Sequence, residues 1–174
     1  PTVLITGGSS GIGAELASQY AAPDTTLILI ARNEERLREV ATACEAKGAR
    51  VHTASIDVRD KAGMQSFINE IDTKCPIDLV IANAGISTGS FAGNETLEAA
   101  EAVFDINVNG VINTIHPLIE RMKARGRGHI AIMSSLAGIC ALPTAPAYSA
   151  SKAAVRVYGD ALRGKLKAYG VQVS

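Results

Sequence analysis

The stretch TGGSSGIG, residues Thr6 to Gly13, constrains this chain more than any other feature. An apolar run (Val3, Leu4, Ile5) leads into it, and an amphipathic stretch (Ile12, Leu16, Ala17, Tyr20) leads out. Strand, tight glycine turn and helix in that order set backbone N–H groups and a helix N-terminus against a pyrophosphate. Gly7 permits the turn off the strand, Gly11 lets the backbone approach the phosphates, and Gly13 lets the helix lie close to the sheet. Ser9, Ser10 and Ile12 complete the turn. The spacing departs from G-x-G-x-x-G, and a glycine turn without ligand reads the same in isolation. A second site has to decide.

Short β-branched runs alternate with helical patterns along the remaining chain. Strands are predicted at Thr2–Thr6, Thr26–Ala31, Arg50–Ile56, Ile77–Ala82, His129–Ser134 and Val171–Val173. Helices are predicted near Ile12–Ala22, Glu34–Lys47, Lys61–Lys74, Leu97–Arg125 and Ala147–Tyr169, with Asn33 and Asp60 at N-cap positions. Pro117 should bend the longest helix near Asn113 to His116. LILIA and LVIA are near-continuous apolar runs, as strands buried on both faces require. The pattern predicts an α/β fold, a doubly wound Rossmann-type parallel sheet with helices on both faces, in one domain over residues 1–174. Ligands of such sheets bind at the carboxyl ends of the strands, beside the point where strand order reverses. The loops carrying Gly7–Gly13, Ala31–Asn33, Asp57–Val58, Asn83–Gly85 and Ser134–Ala147 all fall on that edge.

Composition narrows the class. With 17 basic and 17 acidic residues the formal charge is zero, which provides no basic footprint for nucleic acid or an anionic membrane. The charge run Arg32 to Glu39 reads as the solvated face of a helix. Cys44, Cys75 and Cys140 are odd in number and widely spaced, fitting reduced thiols in the cytoplasm better than a disulfide framework. Neither they nor His52, His116 and His129 have metal-ligand spacing, so no metal is expected. No apolar stretch approaches bilayer-spanning length.

One group of residues carries chemistry. Tyr148 and Lys152 stand four apart at the start of a helix and share a face. A free phenol has a pKa near about 10. An adjacent ammonium favours the phenolate and brings a tyrosine towards useful acid–base work at neutral pH. Ser135, at the mouth of the fifth strand, is placed to hydrogen-bond a carbonyl oxygen facing Tyr148. Singly, each residue has a bland reading: a surface helix pair, a turn serine, and for Asn107 an exposed polar residue or a buried one bonded to backbone.

Five segments together change that balance. TGGSSGIG, the NAG of Asn83–Gly85, the NVNG of Asn107–Gly110, SSLAG at Ser134–Gly138 and YSASK at Tyr148–Lys152 resemble the short-chain dehydrogenase/reductase family, in family order and across essentially the whole chain. The resemblance implies that Tyr148 donates the proton in carbonyl reduction and Ser135 polarises the carbonyl. It implies that Lys152 lowers the tyrosine pKa and bonds the nicotinamide ribose, and that Asn107 anchors a relay water. Asp57 would contact the adenine amino group, with Val58 covering the ring. Asn83, Ala84 and Gly85 would lie against the middle of the cofactor, Asn83 as much a brace of the sheet as a ligand contact. Ser134 would be structural.

The end of the second strand reads Ala31-Arg32, without the carboxylate that binds a ribose 2′-hydroxyl, and Arg32 is suited to a 2′-phosphate. NADP(H) is therefore expected over NAD(H), with Asn33 contributing or merely capping. Pocket walls at Ile86–Asn94 and Leu136–Ala147 are expected, the second of them apolar, which favours an apolar ketone or secondary alcohol. Two other classes stay open: an epimerase- or dehydratase-like relative, and a non-catalytic dinucleotide sensor or interaction protein. By resemblance the long fourth helix and the Tyr-bearing fifth form subunit contacts, and Ala153, Ala154, Val157 and Ala161 make a small-residue stripe, so a homodimer or homotetramer is expected. Family members continue past the sixth strand, so a longer natural protein is expected too.

Overall fold

A computed structural model describes residues 1–87 and 95–174. Six strands form one parallel sheet: β1 (Thr2–Thr6), β2 (Thr26–Ala31), β3 (Arg50–Ser55), β4 (Leu79–Ala82), β5 (Gly128–Ile132) and β6 (Val171–Val173). Their spatial order is β3-β2-β1-β4-β5-β6, so the winding reverses between β1 and β4. Leu4 of β1 stands opposite Ile28 on one side and Val80 on the other.

Alternation within the strands divides the core in two. Val3, Ile5, Leu27 and Leu29 point to the face covered by α1 (Gly11–Tyr20) and α2 (Glu34–Glu45). Leu4, Ile28, Val80 and Ile130 point to the other face, covered by α3 (Lys61–Lys74), α5 (Gly110–Arg125) and α6 (Pro146–Leu166). Both faces are thus apolar, and β2 is buried along its whole length. The doubly wound α/β architecture is as the alternating pattern predicts.

Element ends differ where side chains intervene. β4 starts at Leu79 rather than Ile77, because the Ile77 N–H donates to the Asp72 carboxylate at 2.8 Å instead of joining the ladder. β5 ends at Ile132 rather than Ser134, where the Met133 carbonyl turns to the Lys152 ammonium at 2.8 Å. The helix predicted over Leu97–Arg125 is interrupted. α4 (Leu97–Phe104) runs into a π turn at Asp105–Asn109 before α5 begins. The departure from α geometry lies there and not at Asn113–His116, since α5 continues through Pro117. Asn33 and Asp60 do cap α2 and α3, accepting from the Arg36 and Gly63 N–H groups.

Candidate active site

The turn after β1 opens the site. The Gly7 and Gly8 N–H groups donate to the Ile30 carbonyl at 2.8 and 3.3 Å, which pins the turn to β2. Gly7 has φ +70°, and a Cβ at Gly13 would overlap the Gly7 carbonyl oxygen, so helix and turn close only with glycine at 13. Ser10, at the N-cap of α1, makes no side-chain cap. The first N–H groups of α1 are therefore left for an anion, which the helix dipole favours.

This turn borders a cleft of about 950 Å³ at the carboxyl ends of the strands. All of the candidate catalytic and cofactor-binding residues line it except Gly13 and Asn107. Expected pocket residues 88–94 lie outside the described residues. Of the expected second wall Leu136–Ala147, no residue lines the cleft, although Leu136, Ile139 and Leu142 are exposed on the segment that follows Ser135.

The opposite wall belongs to α6 and the turn after β5. Lys152 is 4% exposed, and burial pushes its ammonium below the ordinary lysine pKa. Its Nζ lies 5.9 Å from the centre of the Tyr148 ring. Among the described residues the Tyr148 hydroxyl has no partner. Ser135 Oγ accepts from the Ala137 N–H at 3.2 Å, capping a short 3-10 turn at Leu136–Gly138 and leaving its proton for the cleft. Ser134 Oγ instead donates to the Lys152 carbonyl at 2.9 Å.

Behind this wall Asn107, in the π turn, is fully buried. Its Nδ2 donates to the Ile86 carbonyl (2.9 Å) and Ser151 Oγ (3.0 Å), and its Oδ1 accepts from the Ile86 N–H (2.8 Å). Ser151 in turn donates to the Tyr148 carbonyl at 2.7 Å. One amide thereby ties the loop after β4 to the helical turn bearing Tyr148 and Lys152. A Cβ at Gly85 would press on both Asn107 Oδ1 (3.2 Å) and Lys152 Nζ (3.3 Å). Asn83 Nδ2 donates to the Thr6 carbonyl at 2.9 Å, bracing β4 against β1 while lining the cleft.

Charged groups gather at the far corner. The Asp57 carboxylate is held by Arg59 through Nε at 3.1 Å and Nη2 at 2.7 Å, and these bonds keep its pKa below the usual carboxylate range. Arg32 Nη1 stands 3.9 Å from Asp57 Oδ2. Arg36 lines the same corner. It was missed in the sequence, where the one available signal is its place one helical turn beyond Asn33.

The chain matches the short chain dehydrogenase family over residues 1–174. It belongs to that family. It is 32% identical to the ketoacyl reductase HetN of a Nostoc species over 174 residues, which is 99% of this chain and 61% of HetN. The chain thus spans under two thirds of that relative's length. The L-sorbose reductase of Gluconobacter frateurii, solved with NADPH and L-sorbose, superposes with TM-score 0.89 at 26% identity, over 99% of this chain and 66% of that one. A short chain dehydrogenase of Mycobacterium paratuberculosis, solved with NAD, superposes with TM-score 0.91 at 28% identity, over 99% and 69%. Family membership accounts for the shared fold, while the two bound cofactors differ. Among the described residues no helix is long and apolar enough to cross a membrane.

Proposed function

We propose that the chain is the dinucleotide-binding and catalytic domain of an oxidoreductase interconverting a carbonyl and a secondary alcohol with NADP(H). One observation carries this reading: the Tyr148 hydroxyl, the Lys152 ammonium and the Ser135 hydroxyl share one cleft with the uncapped end of α1. The cleft fits a nicotinamide dinucleotide because glycines clear the turn and cationic side chains stand at the adenosine end. Gly7, Ser9, Ser10, Gly11 and Ile12 would hold the pyrophosphate, Asp57 and Val58 the adenine, and Lys152 the nicotinamide ribose. When bound, the nicotinamide supplies or accepts the hydride.

Within the chain, Ser135 Oγ–H holds the substrate oxygen and Tyr148 Oη–H delivers its proton. The Lys152 ammonium stabilises the phenolate left behind. Both amide protons of Asn107 are engaged, so a relay water there would rest on the remaining Oδ1 lone pair or on its backbone. The exposed apolar side chains of Leu136, Ile139 and Leu142, on the segment that follows Ser135, favour an apolar ketone. A panel of hydrophobic ketones followed by NADPH absorbance is expected to show turnover. Turnover of sugar or acyl-carrier substrates alone would exclude the apolar class, and cofactor binding without turnover would leave a sensor. Exposed Leu97, Phe104 and Val157, on α4 and α6, suit a homodimer or homotetramer built on these helices.

The cofactor preference rests on Arg32, with Arg36 beside it and no carboxylate at the end of β2. Charge-assisted bonds of this kind contribute about 1.5–3 kcal/mol, so Arg32→Ala should lower kcat/KM for NADPH by roughly tenfold to a hundredfold. The value for NADH should change little. A clear preference for NADH in the unaltered protein would overturn the assignment.

A further inference from the structure

We infer that Glu95 is a positioning residue for Tyr148, acting as the missing cap of α6; the inference rests on the redox reading above. α6 opens on Ala145, which has no capping side chain, and on Pro146, which has no N–H to offer. The first N–H group needing a partner is that of Ala147, immediately before Tyr148. It donates to both Glu95 carboxylate oxygens, at 3.3 and 3.1 Å, across 52 residues of sequence. Ala145 and Ala147 are only 3% and 5% exposed, so water has little access to replace the carboxylate. A carboxylate at this end of a helix also meets the favourable pole of the helix dipole.

Glu95 is itself held in place. Thr96, its neighbour, caps α4 by accepting from the Ala99 N–H at 3.2 Å. The carboxylate therefore projects from a fixed helix start onto the helix that bears the proton donor. Two further bonds fix the same turn: Ser149 Oγ accepts from the Leu142 N–H at 2.9 Å, and Ser151 reaches the Tyr148 carbonyl. Glu95 supplies the third, from outside the segment Leu142–Lys152 and directly onto the N–H preceding Tyr148. Without it the first turn of α6 frays, and the Tyr148 hydroxyl loses its fixed relation to Ser135 and Lys152.

The test compares Glu95→Ala and Glu95→Gln in the full chain by steady-state kinetics and by amide exchange at Ala147 without substrate. Loss of a helix cap corresponds to about tenfold, so Glu95→Ala should exchange at Ala147 about tenfold faster and lose about tenfold in kcat. The cofactor KM should stay within about twofold, because neither Glu95 nor Ala147 lines the cleft. Glu95→Gln, which keeps an accepting oxygen, should recover most of the kcat. Unchanged Ala147 exchange would overturn the cap. A kcat within about twofold of the unaltered protein, or a loss carried equally by cofactor KM, would overturn the positioning role. If the unaltered protein turns over no carbonyl, the redox reading fails and takes the positioning role with it. The exchange result still reports on the cap separately.

Discussion

Tyr148→Phe is expected to lower kcat by roughly 10²- to 10⁴-fold, the range that a positioned general acid contributes. The substitution removes one oxygen and keeps the ring. The bond from Ser151 reaches the Tyr148 backbone carbonyl and survives, as does the Glu95 bond to Ala147. Lys152 keeps its bond to the Met133 carbonyl, so the cleft should bind NADPH with an affinity within about twofold of the unaltered protein. Absorbance of NADPH with a reactive ketone measures the first quantity, and a fluorescence titration the second. Retention of kcat within about threefold would remove Tyr148 as the proton donor. Burial of Lys152 bears on the same chemistry. Its depressed pKa means that the ammonium loses its proton at a lower pH than a free lysine would. Support for the phenolate is therefore present below that pKa and lost as pH rises through it.

Strands and caps were legible because their signals are local. Thr2–Thr6 and Thr26–Ala31 are continuous apolar runs closed by a turn or a cap, and both coincide with the observed strands. The α3 helix starts where Asp60 announces it. Other features depend on residues far apart in sequence. Taken singly Asn107 reads as a polar residue within a helix; the NVNG motif marks it by resemblance, but only the fold brings it to Ile86 and Ser151. The π turn around it has no periodic signature short enough to show against two flanking helices. Glu95 and Arg36 were silent, since nothing in their own neighbourhoods tells which distant group they will meet. The site was readable as a set of motifs, and its supporting bonds were not.

The Asp72 network makes the same point at the opposite end of the sheet, where β4 begins. Asp72 is 2% exposed and receives Arg125 Nη1 at 2.9 and 2.7 Å, Arg121 Nη1 at 3.3 Å and the Ile77 N–H at 2.8 Å. These bonds join α3 to α5 and to the entry of β4. Asp72→Asn keeps the shape but faces an amide N–H₂ or a neutral oxygen towards Arg125. Removing one partner of a buried ion pair leaves an uncompensated charge, and about 3 kcal/mol of stability should be lost. For a domain of this size that is a fall in Tm of roughly 6–12 °C, read by thermal or urea unfolding. The residue is remote from the cleft, so kcat/KM at 25 °C should stay within about twofold while the protein remains folded. A fall below about 3 °C would mean that Arg125 finds water instead. Adding Arg125→Met separates the causes. If the orphaned guanidinium is what destabilises, its removal should restore about 1 kcal/mol. If the lost bonds between helices dominate, the double variant should be weaker still, because Arg125 also donates to the Ile77 carbonyl at 3.0 Å.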